Sequence, residues 1–222
     1  MESHVVKIIS THQVTHDVKS FRIEKPAGYH FTPGQATEVS INKPGWEDER
    51  RPFTFTSLND EPTLEFTIKR YADHNGVTNQ LHQLSEGDEL IIRDVWGAIE
   101  YKGPGYFIAG GAGITPFIAI LRQLHRDNQI ANNILFFSNK TAADIIYEQE
   151  LNTILGKNAR YILTREKKEG YPNMFINIDF LRAQITDFSR HFYVCGPDKM
   201  IADINSALQK LGAQADLLVF ES

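Results

Sequence analysis

Apolar and polar positions alternate along the first hundred residues. HVVKIISTHQVT, VKSFRIEKP, QATEVSIN, RPFTFTS, TLEFTIKRYA and DELIIRDVWG place β-branched or aromatic residues at nearly every second position, the period of a strand with one face buried. KPAGYHFTPG, NKPGWEDE, LNDEP and SEGDE punctuate them with turn residues. Many short antiparallel strands at this spacing predict a small β-barrel or sandwich. One segment breaks the pattern: VTNQLHQL, 77–84, has apolar residues at helical spacing. After KGPG, 102–105, the pattern changes. Apolar runs (YFIAG, NILFFSN, ARYILT, HFYVCG, ADLLVF) alternate with helical segments (TPFIAILRQLHRD, ADIIYEQELNTIL, INIDFLRAQI, DKMIADINSALQKLG). Continuous apolar strands between helices predict a five-stranded parallel sheet, doubly wound, with helices on both faces. The change places a domain boundary between residues 101 and 102, giving domains over 1–101 and 102–222.

The first of these apolar runs leads into FIAGGAGITPF, 107–117. It lies between the first strand and first helix of the parallel domain, where a phosphate-binding turn belongs. The glycines let a ligand approach the main chain. Pro116 suits a first helical turn, where its missing N–H costs nothing, and the helix start offers free N–H groups to an anion. The same stretch also reads as a strand–helix turn with glycines for packing. A G-x-G-x-x-G loop for NAD has an acid ~20 residues on, bonded to the ribose. Here the second strand ends in Ser138-Asn139-Lys140, which points to another doubly wound family or to NADP.

Composition narrows the classes. The chain has 222 residues, 41% hydrophobic and 23% charged, with net charge −5; it is an ordered globule, not a nucleic-acid coat. No apolar run approaches the ~20 residues of a membrane span, and the start reads as a strand, not a signal peptide, so a cytoplasmic protein is expected; a monomer is taken by default, on no feature of the sequence. Cys195 is the single cysteine. One thiol within these residues leaves no internal disulfide and no four-cysteine iron–sulfur cluster. The eight histidines show no metal-ligand spacing; His74 and His82 read as surface or packing residues.

Three motifs in order are specific together: RRPFTFTS at 50–57, GGAGITP at 110–116, and Cys195-Gly196-Pro197 at the end of the fourth parallel strand. With FTPGQ (31–35), IKRY (68–71), GVTNQLH (76–82), TREKKEGYPNMFIN (164–177) and the terminal VFES, the chain resembles the ferredoxin/flavodoxin–NADP reductase family of flavoenzymes over almost its whole length. The resemblance implies an N-terminal flavin-binding barrel and a C-terminal NAD(P)-binding domain. It assigns the flavin phosphates to Arg51, isoalloxazine packing to Phe53, and a hydrogen bond near flavin N5 to Thr54, with Pro52 between them. The family often has tyrosine where Phe53 stands, so that hydroxyl is missing here. Chemically the set is apt: arginine binds phosphate bidentately, an aromatic packs on a flat ring, and a hydroxyl donates. Barrel core is the alternative reading for Phe53 and Phe55. Gly76, Val77 and Thr78 resemble the second phosphate clamp, with Ile68, Lys69 and Arg70 bordering the flavin; an ordinary helix cap is the alternative. Two clamps favour FAD over FMN.

In the second domain the resemblance assigns Gly111, Gly113, Thr115 and Pro116 to the nucleotide loop. The resemblance also places Cys195, Gly196 and Pro197 beside the nicotinamide, and Asp198 is expected to cap the next helix. Thr164 and Arg165 are matched to a 2′-phosphate site, aided by Lys140 and Lys167, which favours NADPH over NADH. Phe220 is a candidate flavin cover, or simply the end of the fifth strand. Glu221 is a candidate proton relay or nicotinamide ligand. The implied activity is hydride transfer from NAD(P)H to FAD, with Thr54, Cys195 and Glu221 as catalytic candidates. Single electrons then pass to a separate acceptor such as flavodoxin or ferredoxin, or to a small molecule. A basic patch at Arg50, Lys69 and Arg70 would dock an acidic partner. The alternatives are a flavin reductase using free flavin, the reductase component of an oxygenase, an electron-transfer subunit of a larger complex, and a non-catalytic binding module. No metal site is expected.

Overall fold

In the computed structural model, residues 2–220 are described except 73, 74, 98 and 131. The chain divides into two compact units, residues 1–98 and 99–222.

The first unit holds six strands: β1 (Ser3–Thr15), β2 (Val18–Glu24), β3 (Gln35–Ile41), β4 (Arg51–Thr54), β5 (Thr63–Lys69) and β6 (Glu89–Gly97). They form one antiparallel sheet in the order β4-β3-β6-β1-β2-β5. A single bridge, Phe55 to Phe66, joins its two edges. The alternation seen in the sequence sends Phe21, Ile23, Phe66, Ile68, Leu90 and Ile92 inward, where they are buried together with Phe55. Phe31 stacks on Phe55 at 4.2 Å between ring centroids. The helical segment becomes the one-turn α1 (Val77–Leu81), which buries Val77 and Leu81 in the same core.

The second unit alternates β7 (Gly105–Gly110), α2 (Thr115–Arg126), β8 (Ile134–Asn139), α3 (Glu148–Leu155), β9 (Ala159–Leu163), α4 (Ile178–Gln184), β10 (His191–Cys195), α5 (Asp198–Lys210) and β11 (Leu218–Phe220). The sheet is parallel throughout, in the order β11-β10-β7-β8-β9. β7 is buried along its whole length. Tyr106, Ile108, Phe136 and Phe192 project onto the α4 and α5 face with Leu181, Ile204 and Leu208.

Two local expectations are corrected. ADIIYEQELNTIL is not one helix. Thr141 and Asp144 close a capping box over a 3-10 turn at Ala142–Asp144, Ile145 and Ile146 are buried, and Tyr147 turns left-handed at φ 54 before α3 starts. Arg122 holds that break from α2, bidentate to Glu150 at 2.6 and 2.9 Å and over the Tyr147 ring at 5.2 Å. Asp198 does not cap α5 either: Pro197 is the cap, and Asp198 is the first helical residue, with no side-chain cap bond. Its charge still suits the positive end of the helix. Among the described residues, no helix is long and apolar enough to cross a membrane.

Candidate functional site

The order of the parallel sheet sets the position of one site. From β7 the chain moves outward to β8 and β9, then returns to the other side of β7 for β10 and β11. β7 and β10 therefore flank the point where the winding reverses, and crevices at such points, outside the carboxyl ends of the strands, bind ligands. The loops that leave these two strands are GGAGITP and CGP. A Cβ on Gly113 would stand 2.4 Å from the Cys195 carbonyl oxygen and 2.6 Å from the Gly196 nitrogen. One on Gly110 would stand 2.4 Å from Met200 Sδ, and one on Gly196 would lie 3.2 Å from the Gly110 nitrogen. The two loops thus meet main chain to main chain. Gly111 is the residue that turns, at φ +53, and nothing lies within 4 Å of its Cβ position, so its open side can take a ligand. Residues Gly111–Ile114 form a 3-10 turn running into α2, with Pro116 in the first helical turn. The Thr115 hydroxyl donates to the Ala112 carbonyl at 3.0 Å. Cys195 is buried at the end of β10.

Further along the carboxyl edge, the ends of β8 and β9 are stitched together. Thr164 N–H donates to the Asn139 carbonyl and Arg165 N–H to the Lys140 carbonyl, both at 2.9 Å. The Thr164 hydroxyl also turns to Asn139 O, at 3.3 Å. Glu166 accepts from Ala142 N–H at 2.7 Å. Arg165, Lys140 and Lys167 are exposed, and none forms an ion pair with a described carboxylate. Asn139, 4% exposed, has neither amide atom hydrogen-bonded to a described residue. A buried polar group in that state is uncommon and tends to mark a functional region.

In the first unit, β4 lies at one end of the sheet order, where Pro52 removes no ladder bond that a central strand would need. Arg51 is exposed; its guanidinium donates to the Arg50 carbonyl at 2.6 Å and stands 3.7 Å from Glu49. Phe53 is half-buried, 6.4 Å from the Phe66 ring. Thr54 is buried, and its hydroxyl makes no hydrogen bond to a described residue. At the far edge, Ile68 is wholly in the core. The Lys69 ammonium bonds Asp17 at 2.9 Å. Burial alone would raise the Asp17 carboxyl, but the Lys69 ammonium beside it holds it below the usual range. Gly76 is the extended cap of α1, with open space at its Cβ position. The Thr78 hydroxyl accepts from Tyr71 N–H at 3.4 Å, so it is not the cap. Lys19 secures the other end of α1, donating to the His82 and Leu84 carbonyls at 3.3 and 2.7 Å. The His82 ring bonds the Ile68 carbonyl at 2.8 Å, and burial lowers its pKa.

Of the three residues expected to form a basic docking patch, Arg50 pairs with Glu38 and Asp48 at 3.5 and 3.7 Å, and Lys69 with Asp17 at 2.9 Å. Phe220 ends β11, paired with Val194 and 43% exposed. Glu221 lies outside the described residues, as does His74. Sequence reasoning missed Met200, which packs against Gly110 and Gly196 where the two loops meet, and the orphaned Asn139; neither carried a signal in the sequence.

Comparison with known proteins adds two domain families in chain order. Residues 5–101 match the oxidoreductase FAD-binding domain, and residues 107–206 the oxidoreductase NAD-binding domain. The chain belongs to the ferredoxin/flavodoxin–NADP(+) reductase family. Among its relatives, the glycine betaine monooxygenase reductase subunit of Pseudomonas aeruginosa is 28% identical over 226 residues, covering 94% of this chain and 61% of that protein. The chain thus spans about three-fifths of the length of that relative. The fold is shared with the FAD/NAD-binding domain of a Vibrio cholerae nitric oxide dioxygenase (TM-score 0.88, 19% identity, 100% and 98% of the two chains). It is also shared with a ferredoxin NADP+ reductase from Neisseria gonorrhoeae (TM-score 0.83, 20% identity, 96% and 92%). In a reductase of this family, the open glycine turn at the winding reversal and the one-turn helix behind Gly76 fit a nicotinamide nucleotide and a flavin respectively.

Proposed function

We propose that this chain is an NADPH-dependent reductase that carries FAD and passes electrons to a separate acceptor. The observation that carries the reading is the main-chain contact between GGAGITP and CGP at the winding reversal, which leaves an open glycine turn beside a helix start. When bound, the nucleotide supplies a hydride and the flavin converts that two-electron delivery into single electrons. The chain's own residues bind and orient. The Gly111 turn and the main-chain N–H groups that open the 3-10 turn Gly111–Ile114 receive the nucleotide phosphates. Cys195 offers a small polarisable surface to the nicotinamide. Arg51 takes the flavin phosphates, Phe53 packs on the ring, and Thr54 has a hydroxyl free to donate. Gly76, Val77 and Thr78 supply the second phosphate clamp, with the main chain of Ile68, Lys69 and Arg70 beside the ring. Two clamps support FAD rather than FMN. The bridge between the sheet edges supports a barrel-like flavin domain, and the boundary near residue 101 separates it from the nucleotide domain. Phe220 is a cover for the flavin and Glu221 a ligand to the nicotinamide in this reading. The protein is a cytoplasmic monomer.

The preference for NADPH rests on Arg165 and Lys140, two exposed cations joined by the 2.9 Å bond between their main chains. The Thr164 hydroxyl contributes less, because its proton is directed to Asn139 O. Arg165→Ala should raise KM for NADPH by roughly tenfold, the worth of one charge-assisted hydrogen bond, and leave KM for NADH unchanged. A native preference for NADH removes Arg165 from the phosphate site.

The acceptor is flavodoxin, ferredoxin or an oxygenase component. The relatives named as monooxygenase reductases favour the last. The two ideas separate in an anaerobic assay of the reduced protein against each class of acceptor. A protein that purifies colourless and reduces added FAD at saturable rates would instead be a flavin reductase.

A further inference from the structure

We infer that Arg93 is a positioning residue for the flavin phosphates: buried on β6, it grips the β3–β4 connection at Glu47 and so fixes where Arg51 stands. The inference rests on the assignment of Arg51 proposed above.

The position begins with an irregularity in the sheet. Along β3 and β6, Thr37 pairs with Val95, and the next pair is Val39 with Ile92. Arg93 and Asp94 therefore stand opposite Glu38 alone, as in a bulge, and bulges re-aim side chains. The Thr37 hydroxyl fills the gap, accepting from Arg93 N–H at 3.0 Å and donating to Arg93 O at 2.8 Å. The Tyr29 hydroxyl donates to the same oxygen at 2.6 Å. The main chain of Arg93 is thus held from two sides.

The guanidinium is 5% exposed by residue and bonds only neutral acceptors: Ser40 Oγ and the Glu47 carbonyl at 3.0 Å each, and the Ile91 carbonyl at 3.4 Å. The nearby carboxylates, Glu38 and Asp48, pair with Arg50 instead. Burying a charge without a bonded counter-charge is costly, and an apolar side chain would fill the space more cheaply. Packing therefore does not account for an arginine here; the reach of its fork does. Ser40 and Ile91 lie on β3 and β6 themselves. Glu47 is the bond that leaves the strand pair.

Glu47 sits in a run of tight turns that feeds β4: Trp46 N–H to Lys43 O at 2.9 Å, Glu49 N–H to Trp46 O at 3.3 Å, Arg50 N–H to Asp48 O at 3.0 Å. Lys43 is tied at the other end to Asp88 at 2.8 Å. Four residues on from Glu47 comes Arg51, whose side chain has only its neighbours Arg50 and Glu49 for company. With its own side chain loosely held, the place of Arg51 depends on its pairing with Val39 of β3 and on the turns that lead into β4, and Arg93 holds those turns at Glu47.

The test compares binding of FAD and of riboflavin, which has no phosphate, to the full-length apoprotein by flavin fluorescence. Arg51→Ala should weaken FAD by roughly tenfold or more, one charge-assisted contact, and spare riboflavin. Arg93→Met should do the same, and the double variant should bind FAD no more weakly than the worse single, since both act on one interaction. Equal losses for FAD and riboflavin, or additive losses in the double variant, would mean a general structural role and overturn the inference. So would an Arg51 effect with no Arg93 effect. If Arg51→Ala binds FAD normally, the phosphate assignment itself fails and takes the inference with it. Should Arg93→Met not fold, Ser40→Ala, which removes one of its three acceptors, decides: native melting with weakened FAD and unaltered riboflavin supports the inference, and unaltered FAD overturns it.

Discussion

Gly113 shows how tightly single atoms constrain the nucleotide loop. Its missing Cβ is the space occupied by the Cys195 carbonyl, 2.4 Å from where that carbon would be. Gly113→Ala must part the two loops or distort them, at a cost on the order of 1–3 kcal/mol typical of overpacking. We expect a higher KM for the nicotinamide nucleotide with FAD binding intact, read by steady-state kinetics beside flavin content. Gly111→Ala meets no atom but must adopt φ +53, so its effect should be smaller. The glycines were legible in the sequence as a run after a strand. Their reasons were not, because the contact partner lies some eighty residues away in CGP. Arg93 was invisible for a related reason: an arginine on an alternating strand reads as solvated until a loop is seen to cover it.

At the scale of the element, the strands were readable because alternation and turn chemistry agreed segment by segment, and six predicted strands became β1 to β6. The helix over ADIIYEQELNTIL was not, since its apolar spacing hid the Tyr147 break that Arg122 and the capping box impose. α1 has five residues, too short to persist without tertiary support. Lys19 and His82 provide it. Lys19→Met should lower apoprotein stability by about 1 kcal/mol, one hydrogen-bonding group lost from the end of α1. It should also weaken FAD binding, because Gly76, Val77 and Thr78 are carried by this turn. Thermal melting and FAD titration of the same preparation check both.

On the scale of the molecule, each unit has its own core, and the order of sheet types followed from the change of period near residue 102. The chain also carries a pH signature in its second unit. Tyr193 is buried with its hydroxyl donating to Gly103 O at 2.7 Å and accepting from the Lys102 and Gly103 N–H groups. Burial is the main cause that pushes its pKa from 10.0 up to about 12. A proton held more tightly in the folded state gives stability that is complete below the unfolded pKa and disappears as pH climbs through the folded one. Stability should therefore fall between pH 10 and about 12, and fall less steeply in Tyr193→Phe, as followed by denaturant titration across that range. Tyr161, raised by burial and by Glu148, contributes in the same direction.

The central claim, a flavin reduced through the site beside Gly111 and Cys195, is tested most directly by anaerobic titration of the FAD-loaded protein with NADPH. The yellow flavin absorbance should bleach with one equivalent of nucleotide and return when an electron acceptor is added. A protein that holds FAD yet stays yellow with both NADPH and NADH would contradict it.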